Sequence, residues 1–147
     1  WNDDRNEEAR AGFEEMLALK TGAGDEQQAM YAIARIHDSA GRRDAAITWY
    51  GRAAAAAKGA TRAESQWRQG WVSYRAKDFR DAERRFSAMA EGATRGSETD
   101  GRGEALYWQG RSLERLGRED EARQAWSKVL VEFPVGYYAA AAEKRLG

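Results

Sequence analysis

His37 is the only histidine of the chain, and cysteine is absent. A histidine-pair metal site, a thiolate metal site and a disulfide framework are therefore out of reach. A Ser-His-Asp arrangement would have to recruit His37 from inside a helical run. The carboxylates Glu119, Asp120 and Glu121 sit in a helix first turn, where the helix dipole accounts for them without a metal. Gly101, Arg102 and Gly103 follow no strand and form neither a dinucleotide fingerprint nor a phosphate loop. Arg42-Arg43 and Arg84-Arg85 read as solvated faces, not as a one-sided basic row. The expectation is a chain with no catalytic constellation, no metal and no cofactor. Most of the remaining chemical content lies in the aromatics: Trp67 and Trp71, two of six tryptophans, stand one helical turn apart, either packed between helices or offering a stacking surface.

The elements that would position such a surface belong to a chain of 147 residues, long enough for one domain with a continuous core. Its 24 basic and 24 acidic side chains leave no net charge, so nothing marks nucleic acid or an acidic membrane surface as a partner. No run approaches the ~20 apolar residues of a membrane-spanning helix. The lack of cysteine fits both cytoplasm and periplasm. The chain starts at Trp1 without Met or a signal peptide, which predicts an excised or processed piece with any targeting segment out of view.

The stretch Glu104 to Pro134 organises the rest. Leu106, Trp108 or Gln109, Leu113 and Leu116 recur at helical spacing, Gly117-Arg118 turns the chain, and Ala122, Trp126, Val129 and Val131 or Phe133 recur on a second helix that Pro134 stops. Gly110 and Ala122, small and twelve apart, would let the two backbones approach while Trp126 fills the next layer. The spacing recurs. Ala46, Ala82 and Ala122 are each followed four residues later by Tyr50, Phe86 and Trp126, and preceded by twelve by Ala34, Gly70 and Gly110. The steps are 36 and 40 residues, against about 34 for the tetratricopeptide (TPR) repeat that this pattern resembles.

The expected architecture is all-α: a TPR-like solenoid of α-α hairpins wound as a right-handed superhelix, with about three hairpins and flanking half-repeat helices in one helical-repeat domain over 1–147. A half-repeat helix covers 3–20, with Ala9, Phe13, Met16 and Leu17 on one side and Lys20 in its last turn. Hairpin 1 covers 25–58, with Asp25 as N-cap and Gln28 closing a capping box, Met30, Ile33, Ala34 and Ile36 or His37 inward, and Gly41 as left-handed C-cap. Its second helix uses Ala46, Ile47, Tyr50 and Ala53, and the alanines 53–57 form a tight-packing surface. Hairpin 2 covers 61–91, opened by a Thr61–Glu64 capping box, with Lys77-Asp78 at the turn where the other two hairpins have glycine. Residues 92–103 read as an exposed, mobile loop, 104–134 as hairpin 3, and 136–147 as a closing helix.

From about Glu64 to Gly147 the resemblance narrows. QWRQGWVSYRAKDFRDAERRFSAMAE and ALYWQGRSLERLGREDEARQAWSKVLVEFPVGYYAAAAEKRLG, with the Tyr137-Tyr138 pair after Pro134, are similar to the helical superhelix domain of soluble lytic transglycosylases. That resemblance implies a non-catalytic scaffold within a periplasmic peptidoglycan enzyme, beside a separate catalytic domain. The family's catalytic signature joins Glu-Ser to a downstream Gly-Leu-Met-Gln segment; the one Glu-Ser here, Glu64-Ser65, has no such segment after it, so Glu64 reads as a helix N-terminal carboxylate. A cytoplasmic or free-standing adaptor that binds protein tails, and a periplasmic or outer-membrane assembly coordinator, are the alternatives. Positions carried over from such repeats place Tyr31 and Arg35, then Trp67, Trp71, Tyr74 and Arg75, then Tyr107, Arg111 and Arg115 on a concave groove. Aromatics interleaved with arginines there would hold a peptide, a glycan strand, a partner helix or the parent's own missing domain by stacking and charge-assisted hydrogen bonds.

Overall fold

Apolar residues at three- and four-residue spacing fold into eight α-helices, with no strand among the described residues. The structure, a computed structural model, describes residues 3–19, 22–97 and 99–147. The helices are α1 (Asp3–Ala18), α2 (Ala23–Ser39), α3 (Arg43–Ala55), α4 (Gly59–Arg75), α5 (Phe79–Gly92), α6 (Arg102–Arg115), α7 (Glu119–Glu132) and α8 (Tyr137–Leu146). The chain divides into two compact units, one up to Val72 and one from Ser73 on, with α4 contributing to both.

The three turns at α2–α3, α4–α5 and α6–α7 share one hydrogen-bond pattern. Gly41 donates to the Asp38 carbonyl and Arg42 to that of His37; Lys77 donates to Tyr74 and Asp78 to Ser73; Gly117 donates to Glu114 and Arg118 to Leu113, all at 2.9 to 3.0 Å. The donor five residues beyond its acceptor closes a Schellman motif, which needs a left-handed residue just past the helix. That residue is Gly41 at φ 76°, Lys77 at φ 62° and Gly117 at φ 76°. Lys77 is the exposed non-glycine of the set, and its Cβ makes the conformation costly. Lys77→Gly is therefore expected to stabilise the second unit by about 0.5–1 kcal/mol. An unchanged or lowered denaturant midpoint would contradict it.

In the first unit α1 packs on α2, and α2 on α3. Ala34, Ala46 and Tyr50 are fully buried, with Val72 against them and Tyr31, Ile47 and Trp49 packed at the edge. Ile33 and Ala53 are also fully buried, and His37 nearly so. Burial pushes the His37 imidazole pKa down, and the nearby Arg42 and Arg10 charges add to it. Its Nδ1 accepts from Arg42 Nε at 2.8 Å.

Several expected details differ here. Helix α2 starts at Ala23, with Gly22 as an N-cap that supplies no side-chain bond, so Asp25 lies within the first turn and Gln28 closes no capping box. Helix α4 starts at Gly59, which places Thr61 and Glu64 inside it and removes the second box. Of the alanines 53–57 only Ala53 and Ala54 are buried, because a 3.6-residue period turns Ala55 and Ala56 outward. Ala9 is exposed, unlike Ala46, although Phe13, Met16 and Leu17 are half-buried. Lys20 and Thr21 lie outside the described residues.

In the second unit α5, α6, α7 and α8 pack in series, and α8 also touches α6. Ala82 and Phe86 are fully buried, as is Val129, with Trp126 only 3% exposed. Gly110 lies under Trp126: a Cβ built on it would sit 2.3 Å from Trp126 Nε1. That indole N–H donates to the Tyr107 carbonyl at 3.2 Å. The close approach at Gly110 thus admits the Trp126 ring itself, where the spacing suggested a contact with Ala122. Of the alternatives at the end of α7, Val131 is 81% exposed and Phe133 packs against Gly103.

The turn into α5 is capped by Asp78, whose carboxylate accepts from the Asp81 N–H at 3.2 Å. Burial alone would raise the Asp81 carboxyl, but hydrogen bonds from Ser73, Arg84 and Arg85 overcome it and hold the pKa at about 2. Residues 92–103 are not uniformly exposed loop. Gly92 ends α5, Gly101 is buried, and Arg102 opens α6. The Arg102 guanidinium donates to the Ala90 carbonyl at 2.7 Å and to both carboxylate oxygens of Glu132, at 2.6 and 2.9 Å. Nothing in the spacing of Arg102 and Glu132 announces this pair.

Candidate binding surface

The groove residues of the first unit come from α2 and α4. Tyr31 is half-buried, meets Tyr50 edge-on with centroids 5.5 Å apart, and donates its hydroxyl to Glu64 Oε1 at 2.9 Å. Burial raises the Tyr31 phenol, and the Glu64 hydrogen bond adds to it. Glu64 also accepts from Arg68 Nε at 3.2 Å, so its carboxylate is a bridge between two side chains, not an N-terminal one. Beside this bridge is an open cleft of about 430 Å³ lined by Gln27, Gln28, Tyr31, Ala60, Thr61 and Glu64. Arg35 is exposed one turn beyond Tyr31 on α2. On α4 the Trp67 and Trp71 rings are stacked, 5.2 Å between centroids and 15° apart, and both are half-buried. The Arg68 guanidinium lies 5.6 Å from the Trp67 ring centroid.

In the second unit an aromatic row runs through Phe79, Tyr74, Trp108, Tyr107 and Tyr138. Successive centroids lie 5.2, 5.4, 5.4 and 5.6 Å apart. Arginines decorate the row. Arg111 donates to the Tyr107 hydroxyl at 3.1 Å and lies 5.8 Å from the Trp108 centroid, and Arg115 lies 4.7 Å over Phe79. Arg75 and Arg115 are exposed and Arg111 half-buried. Tyr107 is only 6% exposed, since Trp108 and Tyr138 cover it. What Tyr107 offers outward is thus carried by the Arg111 side chain bonded to it.

The structure therefore gathers Tyr31 with Glu64 in one unit, and Tyr74, Tyr107, Arg111 and Arg115 around Trp108 and Phe79 in the other. Trp71 belongs to the first unit, and Tyr74, Arg75 and Arg111 to the second. Glu64, Phe79, Trp108 and Tyr138 join these clusters without having been expected there. The Tyr137-Tyr138 pair is the one sequence signal that could have pointed to Tyr138. Among the described residues no group of three or more His, Cys, Asp or Glu side chains is placed to hold a metal ion, and no helix is long and apolar enough to cross a membrane.

A family model described as a tetratricopeptide repeat matches residues 104–134, the hairpin of α6 and α7. With three turns of one geometry and helices packed in series within each unit, this defines an all-α, TPR-like helical-repeat protein. No curated relative matches the chain.

Proposed function

We propose that this chain, read as one helical-repeat domain over 1–147, is a non-catalytic interaction scaffold whose two units each bind protein segments on the faces of their first helices. The observation that carries the reading is the chemistry of those faces. Arg35, Arg75 and Arg115 are exposed next to half-buried aromatic rings, and the stacked Trp67–Trp71 pair leaves part of its surface open. Stacking and guanidinium hydrogen bonds suit a peptide backbone and its carboxylates. The finer reading, a scaffold within a periplasmic, lytic-transglycosylase-like cell-wall protein, rests on the similarity of residues 64–147 to that family, and extends the candidate ligands to glycan strands. A general peptide-binding adaptor is the second reading, favoured by a family match that speaks of the repeat alone.

The test uses Trp71→Ala and Arg111→Ala in the full chain. Both are expected to weaken capture of peptides from a defined pool by about tenfold, roughly 1.4 kcal/mol, while the helical melting transition stays in place. Collapse of that transition would assign both side chains to the core.

A further inference from the structure

His37, the sole histidine, is buried in the last turn of α2 and takes no part in the surface described above. A guanidinium keeps its protons at any ordinary pH, so the bond that His37 Nδ1 accepts from Arg42 Nε at 2.8 Å requires the ring lone pair. The imidazole is therefore neutral in this arrangement. The Schellman turn holds the Arg42 backbone N–H on the His37 carbonyl at 2.9 Å, which sets the guanidinium in front of the ring. From there Arg42 Nη2 donates to Glu7 Oε1 on α1 at 2.7 Å. Arg10 continues the relay along α1, donating Nε to Glu7 Oε2 at 3.0 Å and Nη1 to Glu14 Oε1 at 3.1 Å. The apolar seam beside this relay is thin. Phe13, Met16 and Leu17 are only half-buried, and an open cleft of about 570 Å³ lies along the seam, lined by Phe13 and Met16 of α1 and by Asp25, Gln28, Ala29 and Ala32 of α2.

A proton on Nδ1 turns the acceptor into a donor and sets two cations face to face. From α1 the ring faces Arg10, Glu7 and Glu14, and from the α2–α3 turn it faces Arg42. The first turn of α3 adds Arg43 and Asp44, both exposed, and the last turn of α2 itself carries Asp38. The negative end of α2 favours a charged imidazole, and Glu7 and Glu14 pull the same way. Burial, with the Arg42 and Arg10 charges, outweighs them and holds the pKa below its ordinary 6.5. A ring held down in this way takes its proton more readily once the Arg42 contact opens, so the contact is intact above about pH 6.5 and is progressively lost below it. We propose that His37 is an acid-sensitive latch: protonation drives Arg42 off the ring, breaks its bond to Glu7 and loosens α1 from the α2–α3 hairpin. The Arg42–Glu7 pair is itself exposed enough to stabilise little, so the pH response comes from the buried ring.

Because the chain has one histidine, its ring C–H signals need no assignment, and an NMR titration of the intact chain reads the latch directly. The midpoint is expected below about 6.5, and Arg42→Gln, at an exposed position, should move it upward. Amide hydrogen exchange, expressed as protection over the free-peptide rate, reads the helix. Protection in α1 is expected to fall at least about fivefold between about pH 7.5 and about pH 5, while α7 stays unchanged. Glu7 keeps its charge over that range, since its bonds from Arg10 and Arg42 hold its carboxyl below the ordinary value. Glu7→Gln should leave α1 weakly protected at both pH values. His37→Gln, whose amide oxygen can accept from Arg42 and does not titrate, should abolish the pH response, and Arg42→Gln should abolish it without touching a buried residue. A His37 midpoint at or above about 6.5, α1 protection indifferent to pH, or a wild-type pH response that survives in Arg42→Gln would each overturn the proposal.

Discussion

Gly110→Ala is expected to lower stability by about 2 kcal/mol, although alanine is the better helix former by about 1 kcal/mol. The added methyl would stand 2.3 Å from Trp126 Nε1 and 2.7 Å from two ring carbons. Trp126 is 3% exposed and its indole N–H is held by the Tyr107 carbonyl, so the ring has nowhere to retreat without opening the α6–α7 contact. At roughly 3 °C per kcal/mol the melting temperature should fall by about 6 °C. Gly51→Ala provides the contrast. There the methyl would meet the flexible end of Gln69 at 2.8 Å, and the cost is the Gln69 hydrogen bond to the Ile47 carbonyl. Loss of that bond, about 1 kcal/mol, and the gain in helix propensity nearly cancel. Equal thermal stability of Gly110→Ala and wild type would mean that Trp126 does not lie on α6.

Ala82→Asp is expected to be more severe, beyond 4 kcal/mol and enough to unfold the second unit. Ala82 is fully buried on α5, and its neighbour Asp81 already draws hydrogen bonds from Ser73, Arg84 and Arg85. A second carboxylate, turned into the apolar side of the helix with no cation to meet it, carries the full penalty of desolvation. Ala88→Asp on the exposed side of the same helix should change little, and acidification should partly restore Ala82→Asp by protonating the buried group. Circular dichroism melting of the pair decides it: a cooperative wild-type transition in Ala82→Asp would break the alignment of Ala82 with Ala46 and Ala122.

The periodic core was legible because it is local. Ala46, Ala82 and Ala122, with the aromatics four residues on, are all nearly or fully buried, Gly41 is left-handed as expected, and the expected turn at Gly117-Arg118 is present. The helix starts were not. An Asp or Thr followed three residues later by Gln or Glu also occurs inside a helix, and Gly22 and Gly59 sit where α2 and α4 begin. The loop after α5 was misjudged at its far end because Arg102 finds Glu132 thirty residues away, a pairing only the folded chain creates. The candidate surface was half visible. Periodicity selects the helix face that carries Tyr107 and Arg111, but the tertiary placement of Trp108 and Tyr138 decides that Tyr107 is covered while Arg111 reaches outward.

The most direct test of the scaffold reading is an NMR titration of the six tryptophan indole N–H signals, once with a defined peptide pool and once with soluble peptidoglycan fragments. Saturable shifts confined to Trp67, Trp71 and Trp108 are the expected result. Peptides alone producing them would favour the adaptor, and glycan fragments producing them would favour the cell-wall scaffold. Signals unmoved by both would contradict a binding role for these aromatics and leave them as packing between helices.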